Sequence, residues 1–202
     1  TSMNKRAVIR ALAASAALAM SAAAFAQEFS VGLASTSFAN AAPRIAKELG
    51  LFDKHGLQPK FTVMDNANAA VTGVIAKSLD VASAGAGEIV FAHARGLKVV
   101  VLANTYAGFS GTLVLSKSVV DKLGVSPTAP IAQRLKALDG LVIGSPSATG
   151  AYTVTARAAA AAVGANLRFA YMAQPAMLAA MESGAIQGFM GGAPFWAARA
   201  SL

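Results

Sequence analysis

Hydroxyls, small residues and backbone amides carry most of the chemistry that this sequence offers. Ser35, Thr36, Ser37 and Phe38 form one short run, and Gly85, Ala86, Gly87 and Glu88 form another. Asn104 and Tyr106 make a third, Ser145, Ser147 and Thr149 a fourth, and Asn66 and Gly192 stand singly. Such groups hold a polar or anionic headgroup through hydroxyls and free N–H groups, above all where the run opens a helix and the N-terminus is partially positive. Lys and Arg are nearly absent from these runs, which favours a singly charged or neutral group over a dianion. Glu88 reads two ways, as an acceptor for an amine or ring N–H, or as a favourable charge in a first helical turn. Phe38, Tyr106, Phe109, Tyr152, Phe195 and Trp196 lie near the same runs and suit either a flat ligand body or ordinary packing at a cleft edge.

Catalytic patterns are missing. No Gly-x-Ser-x-Gly elbow and no phosphate-binding Gly-x-x-x-x-Gly-Lys-Ser/Thr occurs, and Val90 stands where a dinucleotide fingerprint after Gly85-x-Gly87 needs glycine. His55 and His93 are isolated, no two carboxylates fall at metal or acid–base spacing, and there is no Cys. No enzymatic activity and no cofactor are expected.

The elements that must position these runs alternate. Glu28–Ala34 reads as a strand, and Asn40 as the cap of a helix running to Leu49 with Ala42, Ile45, Ala46 and Leu49 buried. Gly50 and Gly56 sit where a helix stop and a turn need positive φ. Phe61–Met64 is a strand. Ala67–Leu79 is a helix with Ala70, Val71, Val74, Ile75 and Leu79 on one face, and Val81–Ala84 is a strand that runs into the Gly85 loop. A helix over Ile89–Arg95 follows. Lys98–Ala103 is apolar at consecutive positions, as a buried parallel strand is, and Thr112–Ser116 is a further strand. Strands at 141–144, 167–171 and 186–190 alternate with helices at 131–138, 151–163 and 175–183, and Gly191 to Pro194 turns into a last helix. Strand–helix–strand units of this length imply parallel sheets with ligands outside the carboxyl ends of the strands.

Glu48–Leu57 (ELGLFDKHGL), the helix ending in Asp80-Val81 and the Ala-Gly-Ala-Gly-Glu loop resemble periplasmic substrate-binding proteins of the nitrate/sulfonate/taurine ABC-transporter type, within the thiamine-pyrimidine-precursor-binding superfamily. The resemblance implies a two-lobed α/β fold of mostly parallel sheets, C-terminally truncated, with an incomplete second lobe. It implies a solute-binding receptor that closes on a small anionic or aromatic solute (a carboxylate, sulfonate or pyrimidine) and docks on an ABC permease in the inner membrane. The alternative is a ligand-binding subunit of a periplasmic sensor or tripartite carrier. The related iron-dependent pyrimidine synthase carries a cysteine cluster, which this chain lacks.

The expected organisation is a signal peptide over 1–26, lobe I over 27–116, a connection over 117–138 and a partial lobe II over 139–202. Lys5, Arg6 and Arg10 precede an Ala-rich apolar stretch and Ala24-Phe25-Ala26, the pattern of a cleavable secretory signal and hence of a soluble periplasmic protein. No Cys follows the cleavage site, so a lipoprotein is not expected. Three of the 17 Lys and Arg and none of the nine acidic residues lie before residue 27, which leaves the remainder at about +5. The basic residues are scattered without a run, which argues against a nucleic-acid surface.

Overall fold

The computed structural model describes residues 27–197; the expected signal peptide, 1–26, and most of the expected last helix lie outside the described residues. β1 (Gln27–Leu33) is the middle of a three-stranded sheet. α1 (Ala41–Glu48) leads to β2 (Leu57–Val63), and α2 (Ala67–Ile75) leads to β3 (Val81–Ala82) on the other side of β1. Both pairings are parallel, and α3 (Ala86–Ala94) follows β3. Local chemistry accounts for the joints. Gly50 and Gly56 take φ of 64° and 67°, as their turns require. Asn66 caps α2 by accepting from the Ala69 N–H at 3.0 Å. Val31, Leu33, Ala70, Val71 and Leu79 are buried between the sheet and α2, while Phe52 sits between the rings of Phe29 and Phe61, with centroids 5.8 and 6.3 Å away.

β4 (Thr112–Leu115) begins the second sheet, followed by α4 (Lys117–Leu123) and α5 (Ile131–Lys136). Then come β5 (Val142–Ser145), α6 (Ala151–Ala161), β6 (Arg168–Tyr171), α7 (Gln174–Glu182) and β7 (Gly188–Gly191). The order is β4-β7-β5-β6, with β5, β6 and β7 parallel and β4 antiparallel to β7. The arrangement β6-β5-β7 repeats β2-β1-β3, so one βαβαβ topology occurs twice. Ile143, Ala156 and Met190 form a buried cluster on one side of the second sheet, and Met177, Ile186 and Phe189 another.

Three expectations need correction. Lys98–Ala103 forms no strand and is largely exposed, with Val100 83% accessible. An apolar run becomes a strand only where an edge accepts it, and β3 pairs through just two residues. A hydrogen bond between His93 Nε2 and the Val99 carbonyl, at 2.8 Å, ties the start of this segment to α3. The expected buried face of α1 is largely bare: Ile45 is 55% and Leu49 64% exposed, Ala42 is exposed, and only Ala46 is half-buried. The amphipathic pattern is present, but no described element covers it. Finally, β4, expected within the first lobe, hydrogen-bonds into the second sheet, and α4 interrupts the expected connection.

A depression of about 200 Å³, lined by Glu28, Phe29, Ser30, Lys60 and Asp80, lies away from the carboxyl ends of the first sheet. Its polar groups serve the sheet. Asp80 Oδ2 accepts from the Ser30 N–H at 2.8 Å and from Ser30 Oγ at 2.7 Å, and the Asp80 N–H donates to Ser30 Oγ at 3.0 Å. The backbone bond from Ser30, and then the hydroxyl bond, lower the Asp80 pKa. A carboxylate with a lowered folded-state pKa contributes stability above its unfolded pKa and loses it as pH falls through the folded value. Asp80→Asn is therefore expected to lower the thermal midpoint at neutral pH and to weaken its fall in acid; identical acid limbs for the two chains would refute this.

Candidate functional site

The loops after β1, β3, β5 and β7 open where strand order reverses in each sheet, the position at which open α/β sheets bind ligands. These loops meet. The Phe38 N–H donates to the Ala193 carbonyl at 2.9 Å. Ser147 Oγ donates to Glu88 Oε1 at 3.0 Å and accepts from the Gly150 N–H at 3.0 Å. Thr149 Oγ1 donates to Asn68 Oδ1 at 3.2 Å. Glu88 is only 4% exposed and occupies the first turn of α3, where the partially positive helix end compensates its charge. Glu88 thus stands at the helix end, with Ser147 from the other sheet as partner. Ser147→Ala strips a buried carboxylate oxygen of its donor, and a hydrogen bond to a charged group is worth about 1.5–3 kcal/mol. A loss of about 2 kcal/mol in urea unfolding is expected; a loss below about 0.5 kcal/mol would show that this contact does not hold the lobes.

Several expected ligand hydroxyls are occupied within the protein. Ser35 Oγ and Ser37 Oγ lie 2.8 Å apart, and Asn40 Nδ2 donates to Ser35 Oγ at 2.9 Å. Ser83 Oγ donates to Asn40 Oδ1 at 2.5 Å and accepts from the Ala34 N–H at 3.0 Å. Asn40, expected as a side-chain cap of α1, makes no capping bond. Its amide instead joins the loop after β1 to the residue after β3, a fully paired network that fixes the loop. Ser145 is wholly buried, with its hydroxyl 2.6 Å from that of Thr153. Asn66 is engaged as the α2 cap. Phe38 is exposed, and Asn104 and Tyr106 sit in the exposed segment that forms no strand, Tyr106 near Tyr152. Gly85, Ala86 and Gly87 form the start of α3, with Gly87 against the Thr149 carbonyl.

The aromatic residues divide. Phe195 packs on the cluster of Met177, Ile186 and Phe189. Tyr152 and Phe109 meet edge to face at 5.7 Å, beside Gly111 and Gly192 at the crossing between sheets. Burial raises the Tyr152 pKa against the opposing effect of Ser110, whose Oγ lies 3.3 Å from the Tyr152 hydroxyl; nearby Tyr106 adds to the rise.

A cavity of about 190 Å³ lies among the strand ends, lined by Ser35, Thr36, Val63, Met64, Asp65, Ala173, Gln174 and Pro175. Thr36 and Ser35 are the expected residues that it contains. Asp65 and Gln174 were not expected, yet each closely follows a parallel strand, β2 or β6, and counting onward from every strand end would have found them. Gln174 is 5% exposed, and its Oε1 accepts from the Gly192 N–H at 3.1 Å. Among the described residues, no group of three His, Asp or Glu is placed to hold a metal ion.

Two α/β units whose carboxyl edges face each other across a ligand-sized gap define the fold of periplasmic solute-binding proteins. The chain belongs to the NMT1-like family, whose model matches residues 25–201. No curated protein matches it by sequence. Among solved structures, it is similar to the ligand-binding component of an ABC-type import system from Staphylococcus aureus (14% identity, TM-score 0.68, covering 85% of this chain and 56% of that one). It is likewise similar to the alkanesulfonate-binding protein SsuA from Xanthomonas axonopodis pv. citri (16%, TM-score 0.64, covering 86% and 57%). A third is the periplasmic nitrate-binding protein NrtA from Synechocystis PCC 6803 (16%, TM-score 0.62, covering 83% and 47%). The chain thus spans about half the length of these structures. None of its described helices is long and apolar enough to cross a membrane.

Proposed function

We propose that this chain is the solute-binding receptor of an ABC importer, which captures a small organic solute between the two lobes without transforming it and presents it to a membrane permease. The observation that carries this reading is the cavity among the carboxyl ends of β1, β2 and β6, in a chain whose two sheets also meet through Glu88 and Ser147. Lobe closure on a ligand would remake contacts of this kind. The Ala-rich N-terminal pattern supports export to the periplasm, and the import and periplasmic roles named for the similar structures support the same reading. About 190 Å³ is below the ~300–1,000 Å³ of pockets for drug-sized ligands, which favours a small solute. The described lining residues include no aromatic side chain, which supports a compact polar solute over a stacked ring.

The test is a thermal-shift screen of the chain against small carboxylates, sulfonates, amino acids, pyrimidines and nitrate. A ligand at about 100 times its Kd adds roughly 2.7 kcal/mol to stability, a shift of several degrees. One chemical class raising the midpoint supports the reading, and a cooperative melt indifferent to every class rejects it.

A further inference from the structure

We infer that the cavity selects solutes carrying both an amine and a hydrogen-bond acceptor, with Asp65 receiving the amine and the Gln174 amide donating to the acceptor. This rests on the receptor reading and names the ligand chemistry of the same site. The Gln174 amide can be oriented from its contacts. Its Oε1 accepts from the Gly192 N–H at 3.1 Å, and a flipped amide would set two donors against each other there. Nε2 is therefore the outward atom, and it has no partner among the described residues. Every buried side-chain nitrogen and oxygen among them is paired, so this unpaired nitrogen keeps access to open space. We place Nε2 toward the cavity, which Gln174 lines although the residue as a whole is 95% buried. A nearly buried amide with two unused donors is a preorganised site for a carbonyl or carboxylate oxygen.

Asp65 supplies the opposite character. It lines the same cavity, is exposed, and forms no hydrogen bond or ion pair with any described residue. No Lys or Arg is among the described residues that line the cavity, so a bare anion would meet the Asp65 carboxylate with no countercharge from them. An ammonium group would gain a charge-assisted bond to Asp65. Thr36 offers a hydroxyl that can serve either end, while Val63, Met64 and Pro175 supply apolar wall for a short carbon spacer. The two hydroxyls deeper in the β1 loop, Ser35 and Ser37, are bonded to each other and to Asn40, so they do not substitute for Asp65 or Gln174.

The experiment compares three solutes of nearly equal size by calorimetric titration of the full chain: β-alanine, propionate (no amine) and propylamine (no acceptor), with ethanesulfonate and nitrate alongside. β-Alanine is expected to bind at least about tenfold more tightly than either analogue, the scale of a charge-assisted bond. Asp65→Asn should abolish the preference over propionate. Gln174→Glu keeps an oxygen for the Gly192 N–H but removes the donors; it should weaken β-alanine about tenfold or more and strengthen propylamine. Two outcomes overturn the inference while leaving the receptor reading intact: propionate binding as tightly as β-alanine, or ethanesulfonate or nitrate binding where β-alanine does not. If none of the five binds, the inference fails, and the receptor reading is decided by the wider thermal-shift screen. Asp65 is exposed and both substitutions are near-isosteric, so a circular-dichroism melt matching the parent separates lost recognition from lost folding.

Discussion

Gly87→Ala is expected to leave both lobes folded and to hold them apart. Gly87 sits in the first turn of α3 with ordinary helical backbone, and alanine is the better helix former by about 1 kcal/mol. Locally the substitution is therefore favourable. Across the interface it is not. A Cβ at Gly87 would overlap the carbonyl oxygen of Thr149 and come within 3.8 Å of the Ala151 amide nitrogen. Both are backbone atoms at the start of α6, which cannot swing aside as the tip of a flexible side chain can. The lobes must separate, and overpacking of this kind costs about 1–3 kcal/mol. Any solute that requires closed lobes should lose roughly fivefold to a hundredfold in affinity, while the unbound chain gains radius of gyration in X-ray scattering. Separation also breaks the contact between Ser147 and Glu88, so the midpoint of thermal unfolding should fall by several degrees while unfolding stays cooperative. Unaltered affinity and scattering would show that closure does not pass through the α3–α6 contact.

Phe189→Ala is expected to be the most destabilising single change. Phe189 is wholly buried in β7 with Met177 and Ile186 around it, and Val114, Val142, Ala170 and Phe195 packed against the cluster. β7 is also the strand that joins β4 to β5, so the loss falls where three strands depend on one another. Truncating a buried Phe to Ala typically costs about 3–5 kcal/mol through lost transfer energy and an unfilled cavity. Against a total stability of about 5–15 kcal/mol, that removes a large part of what holds the second sheet. Urea unfolding should show an earlier midpoint with a similar slope, and Phe189→Leu should recover most of the difference because it refills the space. A loss for Phe189→Ala below about 1 kcal/mol would mean that the cluster collapses around the gap without penalty.

Much of this architecture is legible in the sequence because it is written in short-range patterns. Ala70 and Val71 bury as their helical spacing says, although the helix stops at Ile75, short of the expected Leu79, which is buried from the segment beyond it; Gly50 and Gly56 take the left-handed backbone that their turns need, and Gly85 to Glu88 opens α3 directly after β3. Each depends on residues within about a turn of one another. Lys98–Ala103 shows the limit of that logic. Its apolar run is what a buried parallel strand contains, but pairing depends on a partner edge far along the chain, and none takes it up. Ile45 and Leu49 on α1 make the same point for a helix face, since amphipathicity specifies a buried side without specifying a neighbour.

The candidate site divides along the same line. That it lies at the carboxyl ends of the strands follows from their alternation with helices, which forces parallel pairing and gathers the loops at one edge. Which loop residues face a ligand is a matter of tertiary partners. Ser37, Asn40 and Ser145 carry groups suited to binding, yet their hydrogen bonds run to Ser35, Ser83 and Thr153. Glu88 finds its partner in Ser147, 59 residues away, and Gln174 is turned outward only because its oxygen is held by Gly192. A polar side chain in a loop is the same chemical object whether it caps, bridges or binds. The three-dimensional packing of two separate sheets decides which atoms are left unpaired, and among the described residues that line the cavity these include the carboxylate of Asp65 and the amide nitrogen of Gln174.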